Sequence, residues 1–119
     1  MNLLVIIERN IHLRKKDYYL ELMNMFLTNK TNADSFSFSF SAQYEELNQI
    51  HRDMKKDFEK NFDELSNLLV EHEENKLGYS FMFMYNDCYA FNLNSNEFPM
   101  TEAKLRNHVK ALVTELKQL

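Results

Sequence analysis

The sequence predicts an α+β fold in which a three-stranded, mostly antiparallel sheet packs with three amphipathic helices, in the order α-β-α-β-β-α. Three observations predict it. Two segments alternate aromatic with small or polar residues, which is typical of half-buried strands. Three others repeat apolar residues every three or four positions, which is typical of helices. One glycine and one proline in 119 residues indicate long elements. A chain of this length is expected to form a single domain, residues 1–119.

The first predicted helix covers residues 2–29, which contain neither glycine nor proline. An alternative is a short buried strand over residues 3–7, where three adjacent residues are β-branched, followed by a helix from about Asn10. A polar turn is expected over residues 29–34. The apolar stripe of the helix is Leu4, Ile7, Ile11, Tyr18, Leu22 and Met25.

The first predicted strand covers residues 35–41, where serine and phenylalanine alternate without interruption. Successive side chains of a strand point to opposite faces of the sheet. Phe36, Phe38 and Phe40 are therefore expected to lie together on one face.

The central and longest predicted helix covers residues 42–76. Ser41 is a suitable N-cap, and Glu45 and Glu46 suit the positive end of the helix. Gly78 is expected to follow its end as a turn residue. The apolar stripe steps by three or four residues through Leu47, Ile50, Met54, Phe58, Phe62, Leu65 and Leu69, and the opposite face is densely charged.

A β-hairpin is predicted over residues 79–94, turning at Asn86 and Asp87. Two registers are open. A two-residue loop pairs Tyr85 with Cys88, whereas a loop that includes Cys88 pairs Tyr85 with Tyr89. The second register buries more, because it gathers the aromatic residues of both strands on one face.

The last predicted helix begins near Pro99, with Thr101 and Glu102 in its first turn, and runs to the chain end. Its apolar stripe is Leu105, Val109, Leu112, Leu116 and Leu119. The residues expected in the core are Phe36, Phe38, Phe40, Phe58, Phe62, Phe81, Phe83, Phe91, Leu105, Leu112 and Leu116.

Composition argues against several classes of protein. The net charge of −4 and the lack of basic residues along the predicted strands disfavour a nucleic-acid partner. A single glycine excludes glycine-rich nucleotide-binding loops. The opening apolar run, residues 3–7, is too short for a signal peptide or a membrane span. One cysteine cannot form an internal disulfide, which favours a reducing cytoplasm.

The four histidines, His12, His51, His72 and His108, are predicted to be structural or surface residues. No two of them stand three or four positions apart, as a helical metal-binding pair requires, so no metal site and no cofactor is expected. Cys88 is predicted to be a small residue at the hairpin turn. A catalytic thiol would need a neighbouring base or a helix N-terminus, and the sequence supplies neither.

The predicted sheet has one aromatic face, expected to be core, and one small, uncharged face. The uncharged face is expected either to carry a second helix or to form a binding or dimer surface. Its members are Ser35, Ser37, Ser39, Met82, Met84, Asn92 and Asn94.

The predicted element order resembles, in outline, small acidic bacterial immunity proteins that block toxin nucleases. That resemblance implies a non-catalytic inhibitor or immunity protein that masks a basic enzyme surface with acidic side chains, which stand in for a nucleic-acid backbone. The acids expected at the interface are Asp53, Asp57, Asp63, Glu64, Glu71, Glu73 and Glu74.

Two other functions stay open. One is a homodimeric adaptor or secretion-type chaperone that holds its partner on the uncharged sheet face. The other is a small enzyme with dispersed catalytic residues, using Cys88 or a histidine such as His72. The amphipathic stripes also allow a homodimer through the first or last helix.

Overall fold

The computed structural model describes residues 11–56, 60, 77–94 and 99–118, and all the regular structure in them is helical. The α+β prediction is therefore wrong for these residues: neither the strand at 35–41 nor the hairpin at 79–94 is present, and the described part contains no sheet. The elements are a 3-10 turn at Ile11–Lys15 followed by α1 (Lys16–Leu27), α2 (Ala33–Lys55), α3 (Leu77–Leu93) and α4 (Glu102–Lys117).

The serine–phenylalanine segment is helical, and the helix places its phenylalanines on two different sides of α2. Phe36 and Phe40 stand four residues apart and are buried, whereas Phe38 is 73% exposed. Residues four apart share one side of a helix, and residues two apart do not. Ser37 donates a hydrogen bond to the Ala33 carbonyl, four residues back, as serines within helices do (2.7 Å). The prediction that Phe38 is core is therefore wrong.

The predicted hairpin is the single helix α3, and the expected turn at Asn86 and Asp87 lies within it. Phe81, Met84 and Cys88 are buried, at steps of three and four residues. Phe83 is 60% exposed, so its place in the predicted core is wrong. Neither hairpin register exists. The alternation of apolar and polar residues was misleading because α3 carries apolar residues on nearly every side.

α1 ends in a Schellman motif centred on Asn29, which adopts a left-handed backbone with φ of 61°. The Lys30 amide donates to the Met25 carbonyl, and the Asn29 amide donates to the Phe26 carbonyl. Glycine is the usual residue here, and asparagine is the next best tolerated. The polar turn predicted at this point is confirmed, but it is shorter than expected because α2 already begins at Ala33.

α2 begins much earlier than the central helix that the sequence predicts. Asn32, not Ser41, acts as the N-cap, because its Oδ1 accepts a hydrogen bond from the Ser35 amide (2.8 Å). Ser41 lies within the helix. Beyond Lys56, the rest of the predicted helix lies outside the described residues except for Lys60. Gly78 lies within α3 and does not form the predicted turn.

α4 confirms the prediction for the last helix. Thr101 is its N-cap and accepts a hydrogen bond from the Lys104 amide (3.2 Å). Leu105, Leu112 and Leu116 are buried as expected.

The four helices form a ring in which neighbours in sequence pack together and α4 closes against α1. Neighbouring helices run antiparallel, because the residues that contact each other occur in opposite order along the two helices. Ser80 and Asp87 of α3 bind Glu115 and His108 of α4, respectively. The core in the middle contains Ile11, Tyr19, Met23, Phe26, Phe36, Phe40, Phe81, Met84, Leu105, Val109, Leu112 and Leu116.

The inner stripe of α1 is displaced by one residue from the predicted stripe. Tyr19, Met23 and Phe26 are buried, while Tyr18 and Met25 are exposed. Phe91 of the expected core is only partly buried, and Phe58 and Phe62 lie outside the described residues. No helix in the described part of the chain combines the length and apolar character needed to cross a bilayer.

Candidate protein-interaction surface

α3 has an inner face that completes the core and an outer face that is also apolar. Its 17 residues span about 25 Å. Phe83, Tyr89 and Leu93 on the outer side are 60%, 56% and 59% exposed. We define the outer face of α3 as Met82, Phe83, Asn86, Tyr89, Ala90 and Leu93. Its members recur at steps of three and four residues, so they form one continuous strip along the helix.

The outer face of α3 contains no charged side chain. Asp87 is the single charged residue in this helix, and it lies to one side, where its Oδ2 is 2.8 Å from Nδ1 of His108 on α4. Near it, Ser80 donates a hydrogen bond to Glu115 of α4 (2.9 Å). These contacts fix α3 against α4, and at this edge of the strip Phe83 lines a groove together with Asp87, His108 and Glu115.

On its other side, α3 is fixed to α2 by Tyr85. The Tyr85 hydroxyl donates a hydrogen bond to the Glu45 carboxylate, and its ring stacks on Tyr44 with centroids 4.5 Å apart. The hydrogen bond to Glu45 is the main cause that raises the pKa of Tyr85 to about 12, with burial second. The hydroxyl therefore stays protonated and keeps this bond at physiological pH.

Phe38 extends the apolar surface from α3 onto α2. It stands seven residues before Glu45, on the same side of α2, and Glu45 binds α3 through Tyr85. Tyr89 stands one turn beyond Tyr85 in the same direction along the antiparallel pair. Phe38 and Tyr89 therefore border the same side of the α2–α3 pair, and both are more than half exposed.

A buried polar cluster lies inside the ring, centred on His12. The amide oxygen Oδ1 of Asn48 can only accept, so Nε2 of His12 donates to it (2.9 Å). Nδ1 then accepts a hydrogen bond from the Tyr19 hydroxyl (2.8 Å). The His12 ring stacks on Tyr44 with centroids 4.1 Å apart. Both ring nitrogens are thus satisfied within the protein.

The cluster holds His12 in its neutral form. Burial, which penalises the charged imidazolium, lowers the pKa of His12 to about 4, and nearby His51 adds to this. Burial also raises the pKa of the Tyr19 phenol well above its usual value. His12 is therefore neutral and Tyr19 protonated near neutral pH, and their hydrogen bonds and ring contacts link the 3-10 turn, α1 and α2.

Cys88 lies in the buried face of α3, not at a hairpin turn. Burial, followed by the neighbouring Asp87 carboxylate, raises the pKa of its thiol to about 12. A thiolate is the reactive form, and this environment opposes its formation. The position of Cys88 is that of a small core residue.

Some of the remaining predicted site residues lie in the described part of the chain, and the others lie outside it. Asp53 is exposed on α2, where it accepts a hydrogen bond from Gln49 and lies 3.6 Å from Nζ of Lys56. His51 is buried and His108 is half-exposed beside Asp87. The described residues contain no group of three potential ligands close enough to hold a metal ion. The predicted residues outside the described chain are Asp57, Asp63, Glu64, Glu71, His72, Glu73 and Glu74.

The uncharged face that the sequence predicts does not exist as a sheet face, since Ser37 and Met84 are both buried. The outer face of α3 was missed because the residues were assigned to two strands. The signal was present in the sequence as apolar residues on all sides of residues 77–93, a pattern that a helix in a small protein cannot bury completely.

No protein-family model, no curated protein and no solved structure matches this chain.

Proposed function

We propose that this protein is a non-catalytic protein-binding module and that the outer face of α3 is its main binding surface. The observation that carries the proposal is the continuous strip of exposed Phe83, Tyr89 and Leu93 without a charged neighbour in the strip. Interface cores are depleted in charge and enriched in aromatic residues and methionine. Exposed apolar patches of this kind mark interaction sites.

The size of the apolar surface supports the same proposal. If a fully exposed aromatic side chain contributes roughly 200 Å², then Phe38, Phe83 and Tyr89 expose roughly 400 Å² together, to which the exposed Leu93 adds. A standard interface buries about 800 Å² per partner, of which the core is about 65% apolar. These four side chains can therefore supply the apolar part of one interface.

The rigidity of α3 adds to its suitability. Hydrogen bonds from Tyr85 to α2 and from Ser80 to α4 hold the helix on both sides. A surface that is already ordered loses less entropy on binding. The backbone that carries the exposed rings is consequently held between α2 and α4.

For the biological role, we propose an inhibitor or immunity protein of the cytoplasm, which binds a basic protein partner. The net charge of −4 and the exposed Asp53 carboxylate favour association with a positive surface. Asp57, Asp63, Glu64, Glu71, Glu73 and Glu74, which lie outside the described residues, belong to the same proposal as acidic residues for a basic partner. Converting Glu71, Glu73 and Glu74 to lysine should then weaken binding, and unchanged affinity would count against them.

The experiment that tests the binding surface is site-specific photo-cross-linking in the native cells. A photoreactive phenylalanine analogue is introduced at Phe83 or Tyr89, and at exposed Lys110 of α4 as a control. We expect discrete protein adducts from positions 83 and 89, identified by mass spectrometry, and none from position 110. An adduct with any protein, including a second copy, supports the surface. No adduct at 83 or 89, or the same adduct at all three, contradicts it.

A further inference from the structure

We infer that the groove between α3 and α4 binds two basic side chains of the protein partner, one at Asp87 and one at Glu115. This inference rests on the proposed use of the outer face of α3, which adjoins the groove, and it names the chemistry that the partner presents there. The groove has a volume of about 370 Å³. Phe83 lines it and also belongs to the outer face of α3, so a partner that covers Phe83 lies at the mouth of the groove.

The floor of the groove is apolar. Met84 of α3 and Leu112 of α4 line it and belong to the buried core, and Ala111 lies beside them. The ring of Phe83 is more than half exposed at the edge. Lysine and arginine side chains lay their methylene groups along such a surface while the charged end stays in water, and a cation is attracted to an aromatic face. The groove therefore suits a side chain that is apolar along its length and positively charged at its end.

The charges that line the groove are acidic. Asp87 on α3 and Glu115 on α4 supply a carboxylate each, and none of the described residues that line the groove is a lysine or an arginine. His108 is the other titratable side chain there, and its Nδ1 lies 2.8 Å from Oδ2 of Asp87. Two carboxylates thus face one imidazole, which favours positively charged groups on the partner.

Both carboxylates are oriented by a neighbouring side chain and can accept further hydrogen bonds. Ser80 donates to Oε2 of Glu115 at 2.9 Å, and His108 binds Asp87. A carboxylate offers about four acceptor positions, and the described residues supply one hydrogen bond to each of these two side chains. Hydrogen bonds from lysine or arginine to a carboxylate are stronger than those between neutral groups. The other acceptor positions of Asp87 and Glu115 are therefore suited to cationic donors.

The separation of the two carboxylates sets the spacing of the partner's cations. Ser80, which binds Glu115, stands seven residues before Asp87 on α3. Seven residues of helix span roughly 10 Å. Carboxylates this far apart cannot converge on one metal ion or one ammonium group, because such contacts are about 3 Å long. The partner must therefore carry two positive charges roughly 10 Å apart along the groove.

A protein partner accounts for the groove and the outer face of α3 together. Tyr89 and Leu93 continue the exposed apolar strip beyond the groove, and a free dication such as a linear diamine would leave both uncovered. The net charge of −4 adds a long-range attraction for a positive surface. The occupant that fits both features is a protein segment that carries two lysines or arginines beside apolar residues.

The test places a photoreactive phenylalanine analogue at Tyr89, outside the groove, and measures the yield of adduct with the partner in the native cells. Ala111→Arg fills the groove with a cation, and we expect it to lower the yield by a factor on the order of ten. Ala103→Arg is the matched control, because it makes the same change at an exposed position of α4 that does not line the groove. It should leave the yield unchanged. Circular dichroism checks that each variant keeps its helix content.

A second pair of variants tests the charges themselves. Asp87→Asn combined with Glu115→Gln removes both carboxylates with little change of shape, and the yield should again fall by a factor on the order of ten. Asp17→Asn combined with Glu21→Gln removes the same charge from exposed positions of α1 and should have no effect. Mass spectrometry should locate the adduct in a partner segment that contains two or more lysines or arginines.

The outcomes separate this inference from the proposed function. An adduct at position 89 whose yield is the same in the groove variants and in their controls overturns the groove and retains the outer face of α3. A cross-linked partner segment without basic residues, or an adduct with a second copy of this chain, does the same. The absence of any adduct at position 89 overturns both.

Discussion

The guanidinium of Arg106 in α4 lies over the ring of Phe26 in α1, 4.4 Å from its centroid, and donates a hydrogen bond to the Phe26 carbonyl at 3.0 Å. A second, longer contact reaches the Leu27 carbonyl. The final carbonyls of a helix lack partners within the helix and carry partial negative charge. One side chain thus adds a second hydrogen bond to the Phe26 carbonyl, which also accepts from the Asn29 amide, covers a core ring and links α4 to α1.

Arg106→Ala is expected to lower the free energy of unfolding by about 1–2 kcal/mol, because it removes both the cation–π contact and the hydrogen bond to a helix end. Arg106→Lys should recover only part of this, since lysine lacks the planar group. Urea unfolding followed by circular dichroism measures the change. Lys104→Ala, an exposed position on the same helix, serves as the control, and an equal loss in that variant would contradict the role of Arg106.

Acid should destabilise the protein through His12. Its folded pKa of about 4 lies below the ordinary 6.5, so between these values the unfolded chain binds a proton that the folded protein does not. The contribution of His12 to the free energy of unfolding is complete above pH 6.5 and is lost as the pH falls toward 4. This loss is at most roughly 3 kcal/mol. His12→Gln should flatten the decline of Tm across this interval. Parallel declines in the two proteins would show that His12 is not the cause.

Cys88 should resist alkylation in the folded protein. Its thiol is buried and its pKa is raised to about 12, so little thiolate is present and reagent cannot reach it. Treatment with iodoacetamide at pH 8, followed by intact-mass measurement, should give almost no adduct until urea unfolds the chain. A free-cysteine peptide supplies the reference rate. Comparable rates for the folded protein and the peptide would refute the buried position.

Asn29→Gly should leave stability unchanged or raise it slightly, whereas Asn29→Ala should cost about 1 kcal/mol, because only the alanine side chain is disfavoured at a positive φ of 61°. Differential scanning calorimetry compares the two variants. Lys30→Ala, at an exposed position one residue later that does not have a positive φ, is the matched control for the loss of a polar side chain in this turn. Equal Tm values for Asn29→Gly and Asn29→Ala would argue against the left-handed turn.

The parts of the fold that could be predicted are those where apolar spacing and end signals agree. In α4, Leu105, Leu112 and Leu116 repeat at helical steps and Thr101 stands at the start, so both signals indicate one helix. The polar turn after α1 could also be predicted from the sequence. In α1 the helix was predictable, but the buried side was displaced by one residue, since adjacent Tyr18 and Tyr19 fit either stripe.

The strands could not be excluded by local pattern alone. Phe36, Phe38 and Phe40 alternate with serine, and serine is compatible with a helix when it bonds to the carbonyl four residues back, as Ser37 does. The choice between helix and strand then depends on tertiary packing, which buries Phe36 and Phe40 and leaves Phe38 in solvent. The outer face of α3 was hidden for the same reason.

The contact between α4 and α1 delays completion of the fold until both helices have been synthesised. α1 emerges from the ribosome before α4, because the arginine that binds the C-terminal end of α1 is translated some eighty residues later. Contacts that join distant parts of a sequence form slowly, and nascent chains expose apolar surface until they form. The ring can therefore close only after α4 has been synthesised, and a ribosome stalled before α4 would carry α1 with one side of its core uncovered.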